Sequence, residues 1–260
     1  MPNKRPQVLV ISGLDPSGGA GIQADIQAIT AMGAHPLPVL SCLTVQDTCN
    51  VHGAEAVDPE LIAHQIRCVA ADAPIHAVKT GAMGDQRIVR MLHTILAEIG
   101  PLPLVVDPVI KAAGGGELAD EQLVEAMRSE LFPLASVLTP NGPELAQLGG
   151  SEQLASSAHA LLDGGAKAVL ATGGHSTAPT IENRLFRKDE EETVWQLERI
   201  GAEYHGSGCT LAAALSAGLA GGQELPQAIE QAQRFTGNAI RQALHVGRGQ
   251  PVPDRGIQDE

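Results

Sequence analysis

Aromatic side chains are nearly absent from this chain: three Phe, one Trp and one Tyr in 260 residues. The core must therefore be built from Ala, Val, Leu and Ile, residues that suit helices packed closely on a sheet. A base-stacking platform needs exposed aromatic faces and is excluded. Basic residues are also scarce, with 17 Lys and Arg against 30 Asp and Glu, for a net charge of −13. An acidic surface repels a phosphate backbone, so no nucleic-acid partner is expected. A small anion is still compatible, because one site can be positive within a negative envelope. No uncharged apolar run approaches the about 20 residues that span a bilayer, so no membrane partner is expected either. Met1–Gln7 carries Lys4 and Arg5 but no apolar stretch before a small-residue cleavage site. With four scattered cysteines (Cys42, Cys49, Cys68, Cys209) and no C-x-x-C or Cys/His cluster, the reading is a reduced, cytoplasmic protein.

Several signatures of chemistry are missing too. There is no G-x-x-x-x-G-K-[ST], no H-x-x-x-H helix and no G-x-S-x-G elbow. A P-loop, a zinc enzyme and a serine hydrolase thus lack support.

What is present is alternation. Short Val/Ile/Leu-rich runs at Val8–Ser12, Val39–Thr44, Ala77–Thr80, Leu104–Asp107, Ser136–Thr139 and Ala168–Thr172 read as strands. Helical periods lie between them, at Ala20–Met32, Pro59–Ala71, Gln86–Ile99, Asp120–Leu131, Pro143–Leu148 and Glu152–Asp163. This predicts a largely parallel sheet with helices on both faces. Asn183–Arg187 and Thr193–Leu197 flank a charged turn and predict a hairpin. Gly208–Ala220 and Pro226–Ala243 predict two closing helices, then a Gly/Pro/Asp-containing tail. With no linker or repeat, residues 1–260 read as one domain. Ligands of such sheets bind beyond the strand carboxyl ends, which directs attention to Asp15, Gln46, Lys79, Asp107, Asn141, Glu144 and Gly173-Gly174-His175.

Three segments could carry chemistry. In His205-Gly206-Ser207-Gly208-Cys209-Thr210, two glycines turn the backbone at the head of an apolar helix. Converging amides and the helix N-terminus make an anion site there, and the same position predicts a lowered Cys209 pKa. Taken alone, the turn fits equally a Gly-rich lead-in to a buried helix with a packing cysteine. The loop Gly13-Leu14-Asp15-Pro16-Ser17-Gly18-Gly19-Ala20-Gly21 follows the first strand and lets a ligand approach the backbone. Its Gly19-x-Gly21-x-x-Ala24 matches a dinucleotide fingerprint only superficially, because the glycines start too far from the strand. In Thr139-Pro140-Asn141-Gly142-Pro143-Glu144, capping of a helix is the simpler reading. The functional one has Asn141 and Glu144 holding Mg²⁺ near a nucleotide triphosphate, with the strand-end carboxylate of Asp107 sharing that duty.

Taken in order, Asp15-Pro16-Ser17-Gly18-Gly19-Ala20-Gly21-Ile22-Gln23-Ala24-Asp25, Gln46, Lys79-Thr80-Gly81, Asp107-Pro108-Val109, Thr139-Pro140-Asn141 with Glu144, Gly173-Gly174-His175 and the His205–Thr210 turn resemble hydroxymethylpyrimidine/phosphomethylpyrimidine kinases. These form the thiamine-biosynthesis branch of the ribokinase-like superfamily. The resemblance implies a three-layer αβα fold and two successive phosphorylations by ATP with Mg²⁺. They act first on the hydroxymethyl group of 4-amino-5-hydroxymethyl-2-methylpyrimidine and then on its monophosphate. By matching position, Gln46 reads the pyrimidine ring, Gly13 and Asp25 lie at its pocket, and Lys79 and Gly81 border it. Asn141 and Glu144 serve the Mg²⁺–nucleotide, with Thr172 and Gly174 on the phosphate side. Gly206, Ser207, Gly208 and Cys209 form the anion hole. Cys209 stands where most ribokinase-like enzymes place an aspartate base, and acts as general base or proton relay. Many relatives carry Lys where this chain has Thr172, with Lys111 as a candidate replacement, and Met where it has Ala82. Ribokinase-like kinases are often dimers, so a homodimer is expected. A pyridoxal-type vitamin kinase of the same fold and a non-catalytic pyrimidine-binding protein are the competing readings.

Overall fold

The computed structural model describes residues 5–111, 118–174, 178–201 and 203–256; His175 lies outside them. Among these residues nine strands form one sheet, in the order β3-β2-β1-β4-β5-β6-β7-β8-β9. The strands are β1 (Gln7–Leu14), β2 (His35–Gln46), β3 (Val51–Ala56), β4 (Ala77–Thr80), β5 (Leu104–Val106), β6 (Val137–Leu138), β7 (Ala168–Ala171), β8 (Thr180–Arg187) and β9 (Thr193–Glu198). The six from β2 to β7 run parallel, and antiparallel strands flank them: β3 on one side, β8 and β9 on the other.

Alternation along the strands sorts the core into two layers, because successive side chains leave opposite faces of a sheet. Leu9, Ile11, Val78 and Val106 point to one side, where they meet Ile62, Ile66, Ile88, Leu92 and Leu161. Those residues belong to α2 (Pro59–Asp72), α3 (Gln86–Ile99) and α6 (Leu154–Asp163); α4 (Glu121–Ala126) and α5 (Gly142–Gly149) join them. Val8, Val10 and Val105 point to the other side, against α1 (Gly21–Ala31), α7 (Ser207–Ala220) and α8 (Leu225–Arg241). The result is the expected αβα sandwich. Helix α7 is buried from Thr210 to Gly218 because it lies between the sheet, α1 and α8. No helix of the described residues is long and apolar enough to cross a membrane.

Two regions differ from the sequence reading. The second strand starts at His35 and continues to Gln46, then turns back into β3, which was not expected. Pro36 and Pro38 are tolerated because that half of β2 pairs with β1 alone, leaving its other edge without a partner that needs an N–H. The helix expected over Asp120–Leu131 is α-helical only to Ala126, then widens into a π turn, Met127–Leu131.

One residue of the buried central strands carries a charge. Lys79, in β4, is fully buried on the α1/α7 side, with its Nζ 2.8 Å from Oδ1 of Asp25, itself fully buried in α1. This pair ties helix to sheet beneath the strand ends. Removing one partner strands a charge in the core. Lys79→Met is expected to lower stability by about 3–5 kcal/mol, and Lys79→Met/Asp25→Asn to recover much of that loss, as read by urea denaturation.

Candidate active site

The parallel strands end at a cavity of about 640 Å³. Beneath its floor lies a charge cluster. Lys79 Nζ faces Asp25 at 2.8 Å and Oδ2 of Asp107, at the end of β5, at 3.9 Å. Burial works against the ammonium, but Asp25, Cys209 and Asp107 together outweigh it and hold the proton on. Burial pushes both carboxyls up, and Lys79 only partly offsets this. Cys209, in the first turn of α7, feels Asp107, Lys79 and Asp25 together.

Above this floor two loops touch. Asp15 Oδ1 accepts from the amide and hydroxyl of Ser17, at 2.8 and 2.7 Å. Its Oδ2 accepts from Ala20 N at 2.8 Å and pairs with His205 Nε2 at 2.7 Å. Burial would raise the Asp15 pKa, but the His205 and Ser17 hydrogen bonds overcome it and hold the group at about 2. An ionised carboxylate only accepts, so Nε2 of His205 carries the proton in this pair. The partner loop turns at Gly206, with φ +81°, where a Cβ would lie 2.0 Å from the carbonyl oxygen of Gly19. Gly21 is equally constrained: at φ +57°, its Cβ would sit 2.2 Å from the Gly13 carbonyl oxygen. The glycines are there so that the two backbones can meet. Ser207, Gly208 and Cys209 then line the cavity from the N-terminus of α7.

The opposite edge is carboxylate-rich. Asn141 and Glu144 form the capping box of α5: Glu144 N donates to Asn141 Oδ1 at 2.9 Å, and Asn141 N to Glu144 Oε2 at 3.0 Å. The simpler reading of that segment is therefore correct as far as it goes. Yet both residues also line the cavity. Burial first, and Asp107 second, push the Glu144 carboxyl up to about 8. Asp107 Oδ2 is buried with no hydrogen-bond partner among the described residues. Two carboxylates that burial and mutual repulsion both disfavour suit a cation between them. No group of three or more His, Cys, Asp or Glu among the described residues could hold a metal by itself.

The family model described as Phosphomethylpyrimidine kinase matches residues 15–253. The chain belongs to the phosphomethylpyrimidine kinase family. It is 36% identical over 257 residues to the hydroxymethylpyrimidine/phosphomethylpyrimidine kinase of Streptomyces coelicolor, covering 96% of this chain and 94% of that one. To the thiamine biosynthesis bifunctional protein of Geobacter sulfurreducens it is 38% identical over 253 residues; the match takes in 95% of this chain but spans only 52% of that longer protein. Among solved structures, the ADP complex of Bacillus subtilis pyridoxal kinase aligns with a TM-score of 0.88 at 29% identity, covering 97% of this chain and 98% of that one. A Clostridium difficile phosphomethylpyrimidine kinase aligns with a TM-score of 0.79 at 32% identity, covering 91% and 100%. The fold is thus the one its kinase relatives share.

In this family member the cavity gathers Gly13, Gln46, Asp107, Asn141, Glu144, Thr172, Gly174 and the Gly206–Cys209 turn. Asp25, Lys79 and Gly81 are not on its wall: Asp25 and Lys79 pair beneath the floor, and Gly81 backs onto Ser12 and Lys79. Ala82 faces the cavity while Met83 turns into the core, so the ring side is lined by the smaller residue. Arg199 was not foreseen. It lines the cavity and fastens the loop after β7, donating from Nη1 to the Gly174 carbonyl at 2.9 Å and from Nε to that of Ala178 at 2.6 Å. Trp195 and Tyr204 also line the cavity, so the one Trp and the one Tyr of the chain both stand at the site. Their rarity was the available signal.

The expected thiolate is corrected. Burial, Asp107 and Asp25 outweigh Lys79 and push the Cys209 thiol up to about 12; the helix start does not compensate for two carboxyls at the same floor. With that pKa only about one molecule in 10⁴ is thiolate at pH 8. Iodoacetamide at pH 8 is expected to label the exposed Cys49 and Cys68 while leaving Cys209 nearly unmodified, as read by peptide mass spectrometry. Rapid labelling of Cys209 would contradict this. For Asp15 the sign is opposite. Its depressed pKa stabilises the fold fully above the ordinary value of 3.8, and the gain disappears as pH falls towards about 2. Wild type is expected to exceed Asp15→Asn by about 2 kcal/mol near pH 6, with the difference shrinking steadily in denaturation curves taken down to pH 2.5.

Proposed function

We propose that this cavity transfers the γ-phosphoryl group of ATP to the hydroxymethyl group of 4-amino-5-hydroxymethyl-2-methylpyrimidine, and then phosphorylates the monophosphate to the diphosphate. One observation carries the reading. A single cavity joins a ring-reading amide, Gln46, to the Gly206–Cys209 turn and to the carboxylates of Asp107 and Glu144. The kinase names of relatives that match nearly all of both chains support it.

Gln46 donates and accepts through one amide, which suits the aminopyrimidine edge. Gly13 backs that end of the cavity, over the support that Asp25, Lys79 and Gly81 give from below. Glu144 and Asp107 are the residues that would hold Mg²⁺, since their carboxyl oxygens are the hard donors it prefers. When bound, the ion supplies neutralisation of charge on the phosphates. Asn141 holds Glu144 in place through the capping box. Thr172 and Gly174 border the phosphate side, and Arg199 and Lys111, which line the same cavity, supply positive charge where many relatives carry Lys.

The amides at the head of α7 face the transferred phosphoryl group and stabilise its charge without reorganising. Cys209 acts as a neutral relay. The alcohol proton moves onto Sγ as the thiol proton leaves for a phosphoryl oxygen, while the alcohol oxygen bonds phosphorus and the bond to ADP breaks. No free thiolate is required, in keeping with the raised pKa.

Purified protein incubated with ATP, Mg²⁺ and either the hydroxymethyl pyrimidine or pyridoxal tests the reading by product mass spectrometry. Mono- and diphosphate of the pyrimidine are expected. A clear preference for pyridoxal would replace it with the vitamin-kinase reading that the structural neighbours favour, and tight pyrimidine binding without ATP consumption would point to a sensor. At saturating substrate, Cys209→Ala is expected to lose about 10²–10⁴-fold in kcat, and Cys209→Ser to retain part of it.

A further inference from the structure

Residues 242–256, the segment after α8, are not a loose tail. Leu244 and Val252 form an antiparallel bridge, and the amide of Asp254 donates to the Ala239 carbonyl at 2.9 Å. At its start it meets the turn next to Gln46: Gly249 N donates to Thr48 Oγ1 at 3.0 Å, and Gln250 N to the Thr48 carbonyl at 3.2 Å. Further on, His205 N donates to the Pro251 carbonyl at 3.0 Å. The strap then brings in Arg255, which is only 2% exposed.

The partners of Arg255 are specific. Nη2 donates to the Gly19 carbonyl at 2.5 Å and, more weakly, to that of Gly206 at 3.4 Å. Nε donates to Thr210 Oγ1 at 2.7 Å, and that hydroxyl in turn donates to the Gly206 carbonyl at 2.7 Å. Nη1 reaches Gln27 Oε1 at 3.3 Å. One guanidinium therefore holds the two glycine loops where they touch, from the side away from the cavity.

We infer that Arg255 is a positioning residue for phosphoryl transfer, setting the direction of the Ser207 amide of the anion hole through the Gly206 carbonyl behind it. The peptide unit is planar, and its C=O and N–H point in opposite directions. The carbonyl of Gly206 shares a peptide unit with the N–H of Ser207, which lines the cavity. Anchoring the oxygen behind the wall thus aims that N–H into the cavity. The carbonyl of Gly19 shares its unit with the N–H of Ala20, which donates to Asp15, so the same guanidinium steadies both loops. A cationic donor also polarises the chain of hydrogen bonds it starts, strengthening the donor at the far end. Arg255 touches no substrate; its effect passes through backbone.

This rests on the phosphoryl-transfer reading, and the test separates the two. Steady-state kinetics with the pyrimidine, ATP and Mg²⁺ are compared for wild type, Arg255→Met, Arg255→Lys and Thr210→Val, with thermal midpoints measured on the same preparations. A wild-type protein inert on this alcohol and on pyridoxal would sink the functional reading itself. With wild type active, Arg255→Met is expected to lose about 100-fold in kcat, with the pyrimidine KM within about threefold of wild type. Arg255→Lys is expected to recover about a tenth of wild-type kcat or more, because it restores one charged donor. Thr210→Val, which leaves the contacts to Gly19 and Gln27 intact, is expected to lose about tenfold in kcat; it decides the matter if Arg255→Met fails to fold. Retention of kcat within about threefold in Thr210→Val and in any folded Arg255→Met, or losses that vanish once activity is normalised to folded protein, would reduce Arg255 to a structural staple and overturn the proposal.

Discussion

A single buried ammonium organises the catalytic end of this molecule. Lys79 sits in a central strand with no exposed atom, 2.8 Å from Asp25 of α1 and 3.9 Å from Asp107 at the end of β5. Cys209 of α7 feels the same charge. An ammonium with a carboxylate on each side is costly to bury, and apolar replacements of similar volume commonly stabilise a fold more. What the arrangement contributes is placement. Three elements that meet beneath the cavity, β4, α1 and the end of β5, are held in one register by charge rather than by shape alone, so the floor has a fixed geometry.

Cations and backbone dipoles placed around the wall explain how an acidic protein can receive a highly anionic ligand. A net charge of −13 describes the envelope, not the site. At the site the helix start of α7, the guanidinium of Arg255 and the ammonium of Lys79 stand behind or below the wall, while Arg199 and Lys111 stand on it. Backbone amides are fixed dipoles that do not reorient as charge develops. Their value depends on being aimed, and aiming requires two loops to approach more closely than side chains allow. Gly206 against Gly19 and Gly21 against Gly13 meet that requirement.

Much of this was legible in the sequence, and the reasons for the exceptions are physical. Apolar strand runs set between helical periods announced the parallel sheet because burial on both faces leaves a continuous apolar signature. Strand β3 escaped because Val-His-Gly-Ala-Glu-Ala is mostly exposed and carries little β-forming character; it exists through its pairing with β2. Gly206–Cys209, Asn141, Glu144 and Asp107 were legible as polar or glycine-rich punctuation at strand ends. Lys79 was read as a border of the ring pocket, since nothing local says that its neighbour is Asp25, 54 positions earlier in the numbering. Arg255 carried no signal at all. It follows Asp254 and precedes Gly256 in a segment with no periodicity, and its meaning comes wholly from the two carbonyls it meets.

The sign of the Cys209 shift shows why the local rule failed and why a thiol suits the position. A helix start lowers a thiol pKa when it is the dominant charge nearby. Here Asp25 and Asp107 share one ammonium, so the floor already holds one carboxylate more than it has cations. An aspartate in place of Cys209 would add a third carboxylate to a buried site that faces a triphosphate, and would either raise its own pKa or push the others up. A thiol avoids that repulsion. In the proposed transfer it would stay neutral while ligands arrive, offering both a lone pair and a proton on one polarisable atom. For the proposed proton transfer, a residue that does not begin as an anion is thus better placed in this cluster than a third carboxylate.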